Sequence, residues 1–382
     1  MYNDKNIMPQ YILRQIIKGT DINMKKIIIS LLATSLLAVS LLAGCTEPNE
    51  DIVIETPDNE QTDNAGDSSA VTVPDVILTE DDGISVMNVG GKDISKAYLN
   101  YYLSNLKLQN PTLSDDEIKN AALENIKQMT AIELLCSTEN VTMDKAATDY
   151  YNETIAYTIE QCNAQEGLSY ETALAQSYMT DTVNRDLTKT SILASLLFNE
   201  YSAEGGSKYT PADDAAILET VKQDYVRVKH VLIKTDELTD EKELADAKVL
   251  AEDILSRAQD GENFEDLVTQ YSADGMDVEK GYYFTTGVMV PEFETASFML
   301  SVGDVAMVES TYGYHIIKKY EMLDEHILGD ESIRNDVAGK IYSARFAADV
   351  EATQGSIECT LNDNYESVAS EILSALNATD AE

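Results

Sequence analysis

Cysteine is scarce in this chain, with only four among 382 residues. Cys45 follows an apolar stretch near the N-terminus, and the other three are Cys136, Cys162 and Cys359. An odd number remains once Cys45 is set aside, and no pair has the C-x-x-C spacing of zinc or redox sites. The pattern therefore argues against a disulfide-stapled scaffold and against a metal centre, and we expect no cofactor.

Positive charge is also scarce. The chain has 27 Lys and Arg against 68 Asp and Glu, which gives a formal net charge of −41. A polyanion of this size repels the phosphate backbone of nucleic acids and the headgroups of anionic lipids. The composition therefore excludes nucleic acid as an expected partner.

The sequence has one long apolar run, which lies near the N-terminus. This run is shorter than the roughly 20 residues that a membrane-spanning helix needs. Residues 24–44 begin with Lys25 and Lys26, continue as an apolar stretch and end in small residues, which is typical of a secretory signal. Their end, Leu42-Ala43-Gly44-Cys45, is similar to a bacterial lipobox, which predicts a lipid on Cys45 and a mature chain that begins there. The alternative is an ordinary signal peptide followed by an incidental cysteine. We expect Met24 to be the true start, with residues 1–23 an over-extended N-terminus.

Residues 45–83 follow this signal. From Thr46 to Gly83 there are twelve acidic residues and no basic ones, with little periodicity. Such a segment buries too little apolar surface to offset its ordering entropy. The sequence therefore predicts a disordered acidic linker that spaces the folded part from a membrane.

Residues 84–224 carry helical patterns after one short strand and a Gly90-Gly91 turn. A helix is expected from about Ser95, and a capping box from Ser114 to Glu117 opens the next one. Thr210-Pro211 predicts the start of the last helix, which runs to about Asp224. Residues 324–382 add two more helices, so both segments are expected to form one helical domain.

Histidine is scarce as well, with three in the chain. His230 lies in YVRVKHVLIKTDE and His315 in TYGYHIIKKYE, and both stretches have the pattern of β-strands. The pattern predicts the order β-α-α-β-α-β-β for residues 225–323, with a β-hairpin around Ser310 to Gly313. If the two strands are neighbours, the histidines meet. Taken alone, two buried histidines in a small sheet are more commonly hydrogen-bonded core residues.

Residues 225–323 resemble a parvulin, or rotamase, domain. The resemblance is carried by KHVLIK, NFEDLVTQYS, GYYFTTGVMVPEFETASFML and GDVAMVESTYGYHIIKKYE, which recur in this order. With a lipobox before them and helices on both sides, the architecture resembles the PrsA foldase lipoproteins, whose helices are similar to those of SurA-type chaperones. The resemblance implies an α+β fold, in which a parvulin domain is inserted in a mainly helical chaperone-like domain after a signal peptide and a disordered acidic linker.

The resemblance also implies a site. In parvulins the first and last strands are adjacent at the sheet centre, so His230 and His315 are expected to face each other. Asp274 matches the acidic position over the bound proline, and Tyr312 matches the loop position before the second histidine. These four residues are the catalytic candidates. Met289 and Phe293 match residues that wall the proline pocket, although a Met and a Phe are more commonly ordinary core residues.

Two departures from the family pattern bear on that site. The glycine-rich turn before the middle strand retains only Gly281, and Tyr312 is large enough to crowd the pocket. In addition, Lys234 is followed by TDELTDEKE rather than by the basic cluster of phospho-specific parvulins. We therefore do not expect a phosphorylated substrate.

The implied function is peptidyl-prolyl cis-trans isomerisation that assists exported proteins outside the cytoplasmic membrane. The expected partners are unfolded or partly folded exported polypeptides with X-Pro bonds, and the expected location is the extracytoplasmic face of the cell membrane, through a lipid anchor compatible with a Gram-positive surface. The alternative is a membrane-anchored holdase whose parvulin domain is inactive or auxiliary. The sequence leaves open whether the chain is a monomer or a homodimer.

Overall fold

The computed structural model describes residues 83–164 and 168–379. The predicted start at Met24, the signal peptide, the lipid attachment at Cys45 and nearly all of the acidic linker lie outside this range. Among the described residues, no helix combines the length and the apolar character that membrane crossing requires.

The described chain divides into two units, one made of residues up to 199 together with residues from 347 onward, the other of residues 200–346. The helices are α1 (Lys96–Gln109), α2 (Asp115–Thr138), α3 (Lys145–Asn163), α4 (Tyr170–Gln176), α5 (Asp181–Ser202), α6 (Asp214–Asp224), α7 (Glu241–Gln259), α8 (Phe264–Tyr271), α9 (Pro291–Met299), α10 (Asp324–Gly329), α11 (Glu331–Ser356) and α12 (Tyr365–Thr379). The strands are β1 (Ser85–Val89), β2 (Lys92–Ser95), β3 (Tyr225–Lys234), β4 (Tyr282–Thr285), β5 (Val305–Ser310), β6 (Gly313–Tyr320) and β7 (Cys359–Leu361). This arrangement confirms the predicted α+β class, with one unit inserted in the chain of the other.

The first unit is helical except for a small sheet of order β2-β1-β7. Only β1 was expected, and the structure corrects the prediction of a single leading strand. The chain turns at Gly90 and Gly91, both with positive φ, and returns as β2. β7 then pairs with β1 from the far end of the sequence, with Asn88 opposite Thr360.

Helix starts in this unit follow the capping residues seen in the sequence. Ser95 is the N-cap of α1, and the capping box at Ser114 is confirmed, because its hydroxyl accepts the Glu117 N–H while its own N–H donates to the Glu117 carboxylate. In the second unit, however, the predicted helix start at Thr210-Pro211 is wrong. α6 begins at Asp214, because the Asp213 carboxylate accepts the Ala216 N–H at 2.8 Å and caps the helix there.

The second unit has the predicted order β-α-α-β-α-β-β, from β3 to β6. Its sheet has the order β4-β3-β6-β5 with antiparallel pairs, so the first and last strands are adjacent at the centre, as expected. The β5–β6 hairpin closes at the predicted position, where Ser310 pairs with Gly313.

Helices cover both faces of this sheet, which explains why β3 is almost entirely buried. On one face Val231 and Ile316 pack against α7 and α8. On the other, Val228 and Ile317 pack against Phe293 of α9. The sheet is therefore a double-sided core, and the two layers have separate apolar clusters.

The boundaries of the compact units differ from the predicted division at residues 225 and 323. Residues 200–224 and 324–346 belong with the sheet rather than with the helical unit. The physical reason is a separate apolar cluster, in which Ile217 and Val221 of α6 pack with Tyr225, Ile327 of α10 and Val337 of α11.

Gly281, the one glycine retained before β4, has φ +72° and lies directly against β3. A Cβ added there would come within 2.6 Å of the Val228 carbonyl oxygen. Gly303 is a matched comparison, because its φ is +93° but a Cβ would meet nothing within 4 Å. Gly281 is therefore required for close approach as well as for its backbone conformation.

We expect Gly281→Ala to lower the free energy of unfolding more than Gly303→Ala does. Both substitutions place a Cβ in the left-handed region, at about 1–2 kcal/mol, and Gly281→Ala adds a backbone clash of about 1–3 kcal/mol. Urea unfolding of the two variants measures the difference. Equal destabilisation of the two variants would show that the backbone around Gly281 moves away from the Val228 carbonyl oxygen without a loss of stability.

Candidate active site

His230 and His315 meet on the α9 face of the sheet. His230 lies opposite Ile317 and His315 lies opposite Leu232, so the two histidines are diagonal neighbours across the central strand pair. Their Nδ1 atoms are 3.2 Å apart, and their ring planes are parallel to within 9°. They are 3% and 4% exposed, so the surrounding protein shields both imidazoles from solvent.

Asp274 extends this pair toward the surface. Its Oδ2 lies 2.5 Å from His230 Nε2 and accepts the Tyr282 hydroxyl at 2.9 Å. The loop that carries it is fixed to β3, since Ser272 Oγ accepts the N–H groups of both Leu232 and Asp274. The Asp274 side chain is 28% exposed, against 4% for His230, so the carboxylate is the member of this group that meets solvent.

The opposite end of the pair contacts Ser310 in the hairpin. Ser310 Oγ is 2.7 Å from His315 Nε2 and accepts the Tyr312 N–H at 3.1 Å. A continuous chain of hydrogen bonds therefore runs from Tyr282 through Asp274, His230 and His315 to Ser310.

With His230 neutral, one proton arrangement satisfies every link in this chain. A carboxylate only accepts, so His230 Nε2 carries a proton and, in a neutral ring, its Nδ1 is an acceptor. His315 Nδ1–H then donates to His230, and His315 Nε2 accepts the Ser310 hydroxyl. Both imidazoles are neutral in this arrangement, and Asp274 is the charged end.

The electrostatic environment favours a neutral His315 and an ionised Asp274. Burial, reinforced by repulsion from a charged His230, lowers the pKa of His315 to about 4. The hydrogen bond from His230 lowers the pKa of Asp274 below its usual value. Burial and the hydrogen bond to Asp274 raise the pKa of Tyr282 to about 12, which keeps its hydroxyl a donor.

Phe293 packs directly on the histidine pair. Its ring is 3% exposed and meets the rings of His230 and His315 edge-on, at centroid distances of 4.9 and 5.3 Å. Met289 is half-buried and packs against the cluster that contains Phe293. The Glu294 carboxylate accepts the N–H groups of residues 287, 288 and 289, which fixes the loop that carries Met289 to the first turn of α9.

The structure thus brings together His230, His315, Asp274 and Phe293, with Met289 in the adjoining layer. The Tyr312 side chain is 49% exposed, and only its backbone N–H reaches the hydrogen-bond chain. Two open cavities of about 520 and 580 Å³ in this unit are lined by neither Met289 nor Phe293.

Sequence reasoning missed three polar residues, Tyr282, Ser310 and Glu294. Tyr282 directly follows Gly281, in the turn where other glycines of the family pattern are absent. The absence of those glycines was the one sequence signal that could have pointed to Tyr282. No sequence signal singles out Ser310 or Glu294 as part of a site. Each acts through a contact that depends on the tertiary fold.

Comparison with known proteins identifies relatives of the segment that carries this site. Residues 216–322 match the family model of the PPIC-type PPIase domain, which confirms the parvulin resemblance for that part of the chain. The chain is 32% identical to Foldase protein PrsA of Halalkalibacterium halodurans over 148 residues, 36% of this chain and 40% of the relative. It is 36% identical to Foldase protein PrsA of Caldanaerobacter subterraneus over 143 residues, 35% of this chain and 43% of the relative.

The chain therefore spans less than half the length of these two curated relatives. Among solved structures, it matches PrsA from Bacillus subtilis at 23% identity and a TM-score of 0.24, covering 69% of this chain and 89% of that one.

We expect the His315 ring to stay neutral well below the ordinary histidine pKa of about 6.5. Its pKa of about 4 means that, between pH 6.5 and 4, the unfolded chain binds a proton that the folded chain does not. This group therefore makes folding less favourable as the pH falls through that window. Imidazole NMR signals, assigned with His230→Gln, His315→Gln and His326→Gln variants, test the value. A His315 midpoint near 6.5 would contradict the buried neutral pair.

Proposed function

We propose that residues 216–322 form a peptidyl-prolyl cis-trans isomerase of the parvulin type and that the chain acts as an extracytoplasmic foldase. The observation that carries the proposal is the buried His230–His315 pair, capped by Phe293 and linked to the half-exposed Asp274. The match to the PPIC-type PPIase domain and the similarity to proteins named foldase PrsA support it.

The chemistry requires no bond to be made or broken. An X-Pro peptide bond isomerises over a barrier of about 18–20 kcal/mol, because amide resonance is lost in the twisted state. A catalyst needs to hold the proline ring, remove water from the amide and bind the twisted geometry more tightly than the planar one.

Phe293 and Met289 supply the apolar contact for the proline ring in this proposal. Met289 is flexible and half-buried, so a proline ring can replace part of its contact with the cluster around Phe293. The three N–H bonds to Glu294 hold the Met289 backbone in place while the side chain moves.

Asp274 is the catalytic residue that the bound amide touches, because its partly exposed carboxylate carries the charge of the hydrogen-bond chain. The two histidines act through it as positioning residues, since both are almost completely buried. Tyr282 and His230 both bond to Oδ2, which fixes the direction of the carboxylate. Tyr312 lies at the rim, where its exposed ring can contact the polypeptide around the proline.

The substrates proposed here are unfolded or partly folded exported polypeptides with X-Pro bonds. The location proposed is the outer face of the cytoplasmic membrane, with a lipid on Cys45 as the anchor. The signal-like segment before Cys45 and the acidic linker after it support this assignment. Metabolic labelling with a fatty-acid analogue, in the chain and in Cys45→Ala, tests the anchor.

We expect Phe293→Leu to reduce kcat/KM about tenfold in a protease-coupled assay on a proline tetrapeptide. The reason is the loss of an aromatic wall worth about 1 kcal/mol or more to the bound ring. The matched control is Phe264→Leu, a Phe of similar burial in the α7–α8 layer, on the other face of the sheet.

Both substitutions are expected to cost about 1–3 kcal/mol of stability, but only Phe293→Leu should reduce the rate of the folded fraction. Equal loss of activity in the two variants would trace the effect to stability. A rate for the unsubstituted chain that equals buffer alone would refute the isomerase.

Ionisation of Asp274 and His315 should leave the isomerase rate unchanged from about pH 5.5 to 8 and reduce it only toward about pH 4. Both relevant pKa values are shifted to the acid side: Asp274 is held ionised by His230, and His315 titrates at about 4. A pH profile of kcat/KM measures this. An inflection near pH 6.5 would contradict it, because an imidazole of ordinary pKa would then control the rate.

A further inference from the structure

A second surface in residues 200–346 has the features of a binding site and is not used by the proposed reaction. It is an open groove of about 580 Å³ between one side of α9, from Pro291 to Met299, and Val308 and Glu309 of β5. We call it the α9–β5 groove. Phe293, which faces the histidine pair, is not among its lining residues.

The groove continues into exposed apolar side chains. Met299 at the end of α9 is 81% exposed, and Val302 in the following turn is 55% exposed. Within the groove, Pro291, Ala296 and Val308 add further apolar surface. Contiguous exposed apolar surface of this kind is typical of an interaction site.

The groove runs beside an open sheet edge. β5 is the last strand of the β4-β3-β6-β5 sheet, and among residues 83–164 and 168–379 no strand pairs with its outer side. Such an edge presents backbone N–H and C=O groups that a further extended segment can pair with. The occupant that fits is therefore an extended chain rather than a helix.

Two carboxylates in the groove indicate which charge the bound segment should carry. Glu292 and Glu309 both line the groove and are exposed. In the described part of the chain, neither side chain has an ion pair or a hydrogen bond, whereas Glu294 of the same helix is used by the loop before it. An apolar groove with two unneutralised carboxylates is complementary to an apolar segment that carries Lys or Arg.

We propose that the α9–β5 groove binds an extended polypeptide segment with alternating apolar and basic side chains, which adds to β5 as a fifth strand. Its apolar side chains enter the groove beside Ala296 and Met299, its basic side chains lie on the other face of the added strand with Glu309, and the Glu292 carboxylate adds negative charge at the groove. Binding there requires no proline, so the surface holds an unfolded chain independently of isomerisation.

The test uses a fluorescein-labelled peptide of about nine residues in which Val alternates with Lys, and a second peptide with Glu in place of Lys. Fluorescence anisotropy is expected to show that the Lys peptide binds at least about tenfold more tightly than the Glu peptide. Glu292→Gln combined with Glu309→Gln should reduce that preference to about threefold or less. The ¹³C-methyl NMR signal of Met299 should shift on addition of the Lys peptide.

Strand addition is tested by N-methylation of alternate residues in the Lys peptide. Only one edge of an added strand pairs with β5, so methylation in one register should abolish binding while methylation in the other should leave it intact. Equal affinity of the two methylated peptides would overturn strand addition.

The control for general attraction to this acidic chain is Glu243→Gln combined with Glu252→Gln. Both are exposed carboxylates on α7, and their removal changes the net charge by the same amount. If this variant loses the preference for the Lys peptide over the Glu peptide to the same extent, the proposal is overturned. Sedimentation showing that a second copy of the chain occupies the groove would also overturn it. The peptides contain no proline, so failure here leaves the isomerase proposal unaffected, and an inactive isomerase leaves this one unaffected.

Discussion

The pairing of β3 with β6 is the constraint on which the site depends. Because side chains alternate along a strand, a shift of one residue in this register would move His315 to the α7–α8 face. The observed register keeps His230 and His315 on one face as diagonal neighbours. It is held by apolar packing on both faces and by Gly313, where a Cβ would lie 2.2 Å from the Ile233 carbonyl oxygen. The polar site is therefore a consequence of how the apolar core aligns two strands.

The burial of the histidines determines what they can do. Two imidazoles that are 3% and 4% exposed cannot touch a polypeptide directly, so their influence passes through Asp274 at one end and Ser310 at the other. The same burial lowers the pKa of His315 and keeps that ring neutral. The arrangement holds one partly exposed carboxylate in a fixed direction, which suits the positioning role that the proposed function gives the two histidines.

Elements with local signals were predicted well. The order of strands and helices in residues 225–323, the capping box at Ser114 and the hairpin at Ser310 all depend on residues close together in the chain. The prediction missed β7 because it is three residues long and pairs with a strand about 270 residues earlier. The start of α6 was wrong for a local reason, because two capping candidates lie close together and Asp213 rather than Thr210 caps the helix.

The site shows the same division. His230 and His315 were identifiable because scarce residues occupied two strand patterns, whereas Tyr282 reaches Asp274 only through the packing of β4 against β3. No spacing in the sequence indicates that contact. The predicted domain boundaries differed from the compact units for a similar reason, since the cluster around Ile217, Ile327 and Val337 joins segments more than 100 residues apart.

The two units also differ in when they can be completed. The sheet unit is one continuous segment, so all of its elements are available once residue 346 has been synthesised. The helical unit needs β7 and α12, which are the last elements of the described chain, to pair with β1 and pack on α1. An emerging polypeptide can thus assemble the inserted unit first, while the unit that begins earlier waits for its final partner.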